Sequence, residues 1–405
     1  MQFPRVVTLP QGAANPDMLA AAASSDGSLL VVGGFDGELR EYNARNGFSP
    51  FSTCLNSART AGQYLRSSIS YAAFKPHGAA QQFSKAAQSG RSMLLVLGSD
   101  GDVLEYHHGS QCVVRGAKER TYADGVLTDE ANQLFAAAWS PDGARYVTGG
   151  KDATPKVYDE DAKVAVRCLH DGVEDGSRGH TASIQSLRWP SPDVIVSGGW
   201  DYTVLVWDVR AARAQRRLYG PYLCGDGLDV SPDCRTLATA STRAKDQLEL
   251  WDFSTFKKIA TVQWPSLEPA GQPLTPFDGA PGAAAPQDTP RAQVIPEHGA
   301  APESPSTRVA DDARGDNNLF CVRYSPSGRY LAAGGSYDFR IFDMMAASPA
   351  APASTDSPVV TPVVAGELQP GGGSPHAVFN VAWGPDSSWC AAVGARGLAK
   401  VVARD

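Results

Sequence analysis

Apolar and polar residues alternate over short runs along most of this chain, and clusters of Gly, Pro, Ser and Asp interrupt the runs at recurring intervals. Period-two alternation bounded by such residues predicts antiparallel strands joined by tight turns. The pattern is clearest over residues 179–208. Runs at 184–189, 194–197 and 203–207 are separated by the turns Ser191-Pro192-Asp193 and Gly198-Gly199-Trp200-Asp201. Weaker copies of this meander precede and follow it. Its first turn returns seven times, as Ser25-Asp26-Gly27, Lys75-Pro76-His77-Gly78, Ser140-Pro141-Asp142-Gly143, Ser191-Pro192-Asp193, Ser231-Pro232-Asp233, Ser325-Pro326-Ser327-Gly328 and Gly384-Pro385-Asp386. An Asp stands six residues before an aromatic in four successive copies: Asp36/Tyr42, Asp100/Tyr106, Asp152/Tyr158 and Asp201/Trp207. Later copies slip: Asp246 is five before Trp251, Asp338 is four before Phe342, and the last copy has Arg396 and Val402. A module repeated in this way cannot bury its apolar faces alone, so neighbouring copies must stack on one another.

Two features concern the ends and the gaps. Residues 2–9 read as a strand with no hairpin partner nearby, while the last module, within 378–403, is one strand short. Pairing the two would close a ring and remove an exposed sheet edge. Residues 265–317 are rich in Pro, Ala, Gly, Ser and Asp and poor in β-branched and aromatic residues, the composition of a chain that cannot offset its ordering entropy. Disorder is expected there and, in part, over 346–375, where Val359-Val360 and Val363-Val364 could supply an outer strand. Both insertions carry Ser-Pro or Thr-Pro pairs, such as Ser304-Pro305 and Ser357-Pro358, that proline-directed kinases could modify.

The Gly179-His180 start and Trp207-Asp208 finish of the clearest module resemble the WD40 repeat, the four-stranded blade of a β-propeller. The resemblance implies an all-β, seven-bladed WD40 propeller spanning residues 1–405, its N-terminal strand closing the last blade. It also implies that His180, Ser197, Asp201 and Trp207 form a hydrogen-bonded chain within blade 4, since a buried imidazole and a buried indole each need a partner. Other blades lack one or more of the four and are expected to rely more on apolar packing. In this family the residue before the turn Asp lies on the narrower rim and often meets partners, which implies Phe35, Ser99, Lys151, Trp200, Lys245 and Tyr337 as a partner-binding rim. Trp207, Asp208 and Arg210 match the WD-x-R motif of adaptor-binding ubiquitin-ligase receptors. Neither Tyr158-Asp159-Glu160-Asp161 nor Trp251-Asp252-Phe253-Ser254 keeps its Arg, and Arg210, Arg213, Arg216 and Arg217 also read as charges protecting a sheet edge.

Composition narrows the function further. The net charge of −7 and the lack of a strongly basic stretch argue against nucleic acid as a partner. Seven cysteines, scattered with no C-x-x-C pair, read as reduced and mostly core-packed. Neither a signal peptide nor an 18-residue apolar window is apparent, so no membrane is expected, and a soluble protein of the cytoplasm is, with nuclear or axonemal placement left open. P-loop, dinucleotide, H-E-x-x-H and G-x-S-x-G motifs do not occur, and no catalytic, cofactor or metal site is expected. His107, His108 and Cys112 come nearest to a ligand cluster but read as an exposed turn; Asp159, Glu160 and Asp161 read as a solvated corner. The expected function is a non-catalytic scaffold, a monomeric propeller that mediates protein–protein interactions within a multiprotein complex. The alternatives are a substrate receptor of a cullin-type ubiquitin ligase and a structural subunit of a cytoskeletal or axonemal assembly.

Overall fold

A computed structural model describes residues 2–10, 15–54, 67–76, 93–123, 126–160, 165–170, 179–243, 245–264, 318–349, 359–368 and 377–404. Contacts divide the chain into two units, Met1–Gln263 with Asp316–Asp405, and Trp264–Gly315. The segment 265–317 expected to be disordered lies outside the described residues, as do 350–358 and 369–375 of the second insertion.

Seven four-stranded antiparallel blades make up most of the first unit, five as separate sheets and two, blades 5 and 6, joined in one eight-stranded sheet. Blade 1 contains Met18–Ala23, Leu29–Gly34, Leu39–Asn43 and Ser49–Cys54; blade 2 contains Ile69–Phe74, Met93–Gly98, Asp102–His107 and Cys112–Lys118. Blade 3 is Leu134–Trp139, Arg145–Gly150, Lys156–Asp159 and Ala165–Cys168, and blade 4 is Ile184–Ser191, Val194–Gly199, Thr203–Asp208 and Arg213–Tyr219. Blade 5 is Leu228–Val230, Thr236–Ala240, Leu248–Asp252 and Lys258–Val262; blade 6 is Leu319–Tyr324, Tyr330–Gly335, Phe339–Pro349 and Val359–Leu368. Blade 7 joins Val378–Trp383, Trp389–Gly394 and Ala399–Ala403 to the N-terminal strand Arg5–Thr8. We call the strands of each blade a to d in that order. Each a strand contacts the a strands on either side of it, so the a strands form the inner circle of a seven-bladed propeller.

The repeated turn has a local cause. In blade 3 the Ser140 hydroxyl accepts the Arg145 amide at 2.9 Å, and Asp142 accepts the Ala144 amide at 3.0 Å, which fixes the a–b turn. Gly143 follows in the left-handed region at φ +70°, where a Cβ would also approach the Pro76 carbonyl of blade 2 to 2.7 Å. A residue without Cβ is required there. The core consists of layers between blades: Ile184, Leu187 and Trp207 with Val147 and Val157 between blades 4 and 3, Tyr71 and Leu95 with Ala137 and Trp139 between blades 2 and 3. Beside the three-residue a strand of blade 5, charge takes over. Arg188 of blade 4 bonds Asp229 at 2.6 Å and Asp226 at 2.8 Å, and Arg323 of blade 6 reaches Asp226 at 2.6 Å. Burial would raise the Asp226 pKa, but the two guanidinium groups outweigh it and lower it.

The ring closes at the N-terminal strand. Arg5–Thr8 runs antiparallel to Ala399–Ala403, pairing Arg5 with Ala403 and Thr8 with Lys400. Phe3 is buried edge-on against Tyr330 of blade 6, at 5.3 Å, and Trp383 of blade 7, at 5.8 Å. Leu9 is buried with Met18 and Leu30 of blade 1 and Trp389 of blade 7.

Several expectations need correction, though not the outer strand of blade 6: its strand c runs to Pro349, and Val359–Leu368 forms strand d, as expected of Val359-Val360 and Val363-Val364. The start of that strand also pairs in parallel with strand d of blade 5, Thr261 with Val359 and Val262 with Val360. Only two of the six cysteines with described side chains, Cys321 and Cys390, are buried; Cys168 and Cys224 are intermediate, and Cys112 and Cys234 are exposed. Glu160 is not solvated, because it pairs with Lys75 of blade 2 with both side chains largely covered, while Asp161 lies outside the described residues. An additional hairpin, Arg120–Ala123 with Val126–Ala131, stands between blades 2 and 3 as a sheet of its own.

Candidate partner-binding face

Antiparallel order fixes which connections share an end of the ring. The a–b and c–d turns lie at one end; the b–c turns and the links from strand d to the next strand a lie at the other. The b–c turns are held alike: the amide of Phe35 donates to Asp17 O, Ser99 to Ser68 O, Lys151 to Gln133 O and Trp200 to Ser183 O, all at 2.8 to 3.1 Å. In blades 5 and 6 the equivalent bonds come from Thr242, to Tyr222 O, and Ser336, to Asn318 O. Lys245 and Tyr337 therefore sit three residues and one residue beyond the equivalent place. Lys245 is exposed in a longer loop, and Tyr337 is half-buried. Phe35 is 58% exposed, Lys151 is exposed, and Ser99 and Trp200 are intermediate.

Around Trp200 the structure adds aromatics that the sequence reasoning missed. Tyr202, in the same turn at φ 58°, stacks on Tyr222 at 4.6 Å. Tyr219, exposed at the end of strand d, accepts a bond from Arg217 at 3.1 Å and lies under its guanidinium. Beneath them, Cys224 faces the Thr242 hydroxyl at 3.3 Å, and burial raises its thiol pKa. The signal was available: five aromatics fall between 200 and 222, three of them outside the strands.

His180, Ser197, Asp201 and Trp207 meet within blade 4. Trp207 Nε1 donates to Ser197 Oγ at 2.7 Å, Ser197 Oγ is 2.6 Å from His180 Nε2, and His180 Nδ1 is 2.8 Å from Asp201 Oδ2. With Ser197 accepting from the indole, its hydroxyl donates to Nε2, which fixes the Nδ1–H tautomer toward Asp201. Ser197 and Trp207 are fully buried, so this Ser-His-Asp set offers no accessible nucleophile. Burial alone would raise Asp201, but bonds from His180, Thr203 and the Thr181 amide bring its pKa down to about 2. A carboxylate depressed on folding stabilises the protein above its ordinary pKa of 3.8, and that contribution is lost as pH falls through about 2. Asp201→Asn should therefore cost on the order of 2 kcal/mol at neutral pH. It should also flatten the acid limb of the stability curve, as urea melts across that range would show; an unaltered limb would contradict this account.

Blades 1, 3 and 6 solve the same position with charge rather than the apolar packing expected of them. The turn Asp that serves His180 in blade 4 instead holds a buried cation on strand c, two residues before the aromatic. Arg40 binds Asp36 at 2.6 Å and Arg340 binds Asp338 at 2.6 Å. In blade 3, Lys156 binds Asp152 and, at 2.8 Å, Glu119. Glu119 also accepts Tyr158 OH at 2.9 Å and Asn132 Nδ2 at 3.0 Å. Burial, then Glu119, raises the Tyr158 pKa. The sequence signal was the cation itself, in Arg40-Glu41-Tyr42, Lys156-Val157-Tyr158 and Arg340-Ile341-Phe342.

The remaining candidates lie elsewhere. Arg210 occupies the c–d turn at the opposite end, 77% exposed and paired with Asp193. Asp208 is engaged in the same turn, accepting the Arg210 and Ala211 amides at 2.8 and 2.9 Å. His107 and His108 part company: the first bonds Ser110 at 2.8 Å, the second Glu41 of blade 1 at 2.9 Å. Among the described residues no group of three or more His, Cys, Asp or Glu could hold a metal ion, and no helix is long and apolar enough to cross a membrane.

Comparison with known proteins agrees with this architecture. The family model described as WD domain, G-beta repeat (WD40) matches residues 125–159, 175–208 and 313–343, within or around blades 3, 4 and 6. Among curated relatives, a ribosome biogenesis protein WDR12 homolog of Chlamydomonas reinhardtii is 28% identical over 257 residues, covering 58% of this chain and 52% of the relative. The Drosophila sechellia homolog of the same name is 33% identical over 85 residues, 17% of this chain and 19% of the relative. The protein lethal(2)denticleless of Drosophila melanogaster is 31% identical over 109 residues, 25% of this chain and 13% of the relative. The chain thus spans at most about half the length of these relatives. Three modules of this chain match the WD40 repeat, and seven four-stranded blades closed by the N-terminal strand form a β-propeller.

Proposed function

We propose that this protein is a non-catalytic scaffold that gathers other proteins on the face bearing its b–c turns, as part of a multiprotein complex. The observation that supports this most is the aromatic patch of Trp200, Tyr202, Tyr219 and Tyr222 beside Arg217, with exposed Phe35 on the same face. Exposed Tyr and Trp with Arg are the side chains that dominate binding energy at protein interfaces. The names of the relatives suggest ribosome biogenesis as the process, and with it the nucleus in place of the cytoplasm expected from the sequence.

Replacing Phe35 and Trp200 together by Ala is expected to leave circular dichroism and the melting temperature nearly unchanged. Each hot-spot side chain should cost at least about 2 kcal/mol of binding. Proteins that co-purify with the tagged parent from its native cells should then be lost from the double variant in quantitative mass spectrometry. Retention of the same partners at the same stoichiometry would remove this face from consideration.

A further inference from the structure

Among the described residues the hairpin Arg120–Ala123 and Val126–Ala131 has no counterpart in the other blades, and it takes no part in closing the ring. It pairs only with itself among the described residues, Tyr122 with Leu127 and Ala123 with Val126. A lone two-stranded ribbon is at best marginally stable in water, so something must hold this one. Its base is that anchor. Glu119 and Asn132, the residues flanking the hairpin, are both buried, and the Asn132 amide donates to Glu119 O at 2.9 Å. The Glu119 carboxylate is locked onto Lys156 and Tyr158 of blade 3, and Asn132 bonds Asp152 through both its side-chain nitrogen, at 3.0 Å, and its oxygen, at 3.1 Å. The Tyr122 amide donates to Asp152 at 2.9 Å, and the Tyr122 ring stacks on His170 with 7° between planes.

Beyond that base the ribbon is bare. Val126 is 65% exposed and Leu127 48%, adjacent residues at the far end of a rigidly rooted strand. Asp129 is 99% exposed, and Glu130 has no ion pair among the described residues. Arg120 reaches Asp129 at 3.2 Å, but both are in water, where the pair is worth little. The buried cluster below adds to the same sign, since two carboxylates, Glu119 and Asp152, face one ammonium, Lys156. The hairpin thus combines an unpaired backbone edge, an apolar pair and an acidic flank on a fixed mount. That combination suits the addition of a strand, in which backbone bonds give affinity and side chains give choice. The acidic flank repels phosphates and selects cationic side chains.

We propose that the hairpin is a docking strand for an extended segment of a partner protein that carries apolar residues next to Lys or Arg and pairs alongside Val126–Ala131. This rests on the reading of the protein as an interaction scaffold and adds a second contact, separate from the Phe35 and Trp200 rim.

The test uses a phage-displayed library of random 12-residue peptides panned against the full chain, with the selected peptides synthesised and titrated by fluorescence anisotropy. Selected sequences should pair apolar residues with Lys or Arg. Their affinity should fall on the order of tenfold or more for V126S/L127S and for D129K/E130K. It should weaken as salt rises, and it should be unchanged for the Phe35→Ala, Trp200→Ala double variant, whose own failure concerns the rim alone. Because all four hairpin residues are exposed, these variants should melt with the parent. The proposal is overturned if the library yields no binders, if the binders ignore both hairpin variants, if acidic peptides are selected, or if light scattering shows a dimer that V126S/L127S dissolves, which would make a second copy the occupant.

Discussion

Removal of residues 2–9 should abolish soluble expression or, where protein is recovered, lower the melting temperature by roughly 10 °C or more. Two separate losses add up. Phe3 leaves its slot between Tyr330 and Trp383, and Leu9 leaves the layer between blades 7 and 1, together worth roughly 3 to 6 kcal/mol of burial. Arg404, whose guanidinium lies 4.6 Å from the Phe3 ring, loses its cover as well. The second loss is topological. Ala399–Ala403 becomes a bare edge along the positions that Arg5–Thr8 had paired, and an exposed apolar edge invites association between chains. Phe3→Ala separates the two: it should lower stability by about 3 to 5 kcal/mol and yet keep the chain monomeric, because the ladder survives. A truncated protein that melts with the parent, in a differential scanning calorimeter and at matched concentration, would show that the ring does not depend on this strand.

The ring was legible in the sequence because its signals are local and steric. The Ser-Pro-Asp-Gly turn is spelled by one hydroxyl, one carboxylate and one positive φ, and each leaves a residue type that can be read without knowing what lies across the sheet. Most strands a to c are buried on both faces and read as short apolar runs bounded by turn residues. The outermost strands were harder. Ser49–Cys54 and Cys112–Lys118 border solvent and show little alternation, so periodicity carries no information there. The extra hairpin was missed for the same reason, being exposed at almost every position of Val126–Ala131. A different cue did mark it: Asp124-Gly125 between two β-prone runs is a strong two-residue hairpin signal. On the candidate face, four rim positions could be counted from the turn Asp, but Lys245 and Tyr337 could not, because loop length changes in blades 5 and 6 and only the backbone bonds of Thr242 and Ser336 reveal the true register. The Tyr202–Tyr222 stack depends on where a loop folds back, and spacing does not encode that.

Replacing Lys156 by Met should destabilise the protein by about 3 to 5 kcal/mol, far more than replacing Glu119 by Gln, although each removes one charge from the same cluster. The asymmetry follows from what each leaves behind. Without Lys156, the Glu119 and Asp152 carboxylates share a buried site with no cation, held by Asn132, Thr148, Tyr158 and the amides of Tyr122 and Thr154. Without the Glu119 charge, Lys156 and Asp152 remain a balanced pair, and the Gln oxygen can still accept from Tyr158. Combining the two substitutions should recover part of the loss, a coupling that a double-mutant cycle in urea would measure. The pH dependence is opposite in sign to that of blade 4. Glu119 and Asp152 raise the Lys156 pKa above 10.5 despite burial, so its contribution is complete below that value and is lost as pH rises past it. The parent should therefore lose stability in alkali more steeply than Lys156→Met does. Because Glu119 and Asn132 root the hairpin, amide exchange over Arg120–Ala123 and Val126–Ala131 should quicken in Lys156→Met well before the rest of blade 3 opens. Equal destabilisation by both single substitutions, with no change in exchange at the hairpin, would mean that the buried charges stabilise blade 3 alone and leave the ribbon to stand by other means.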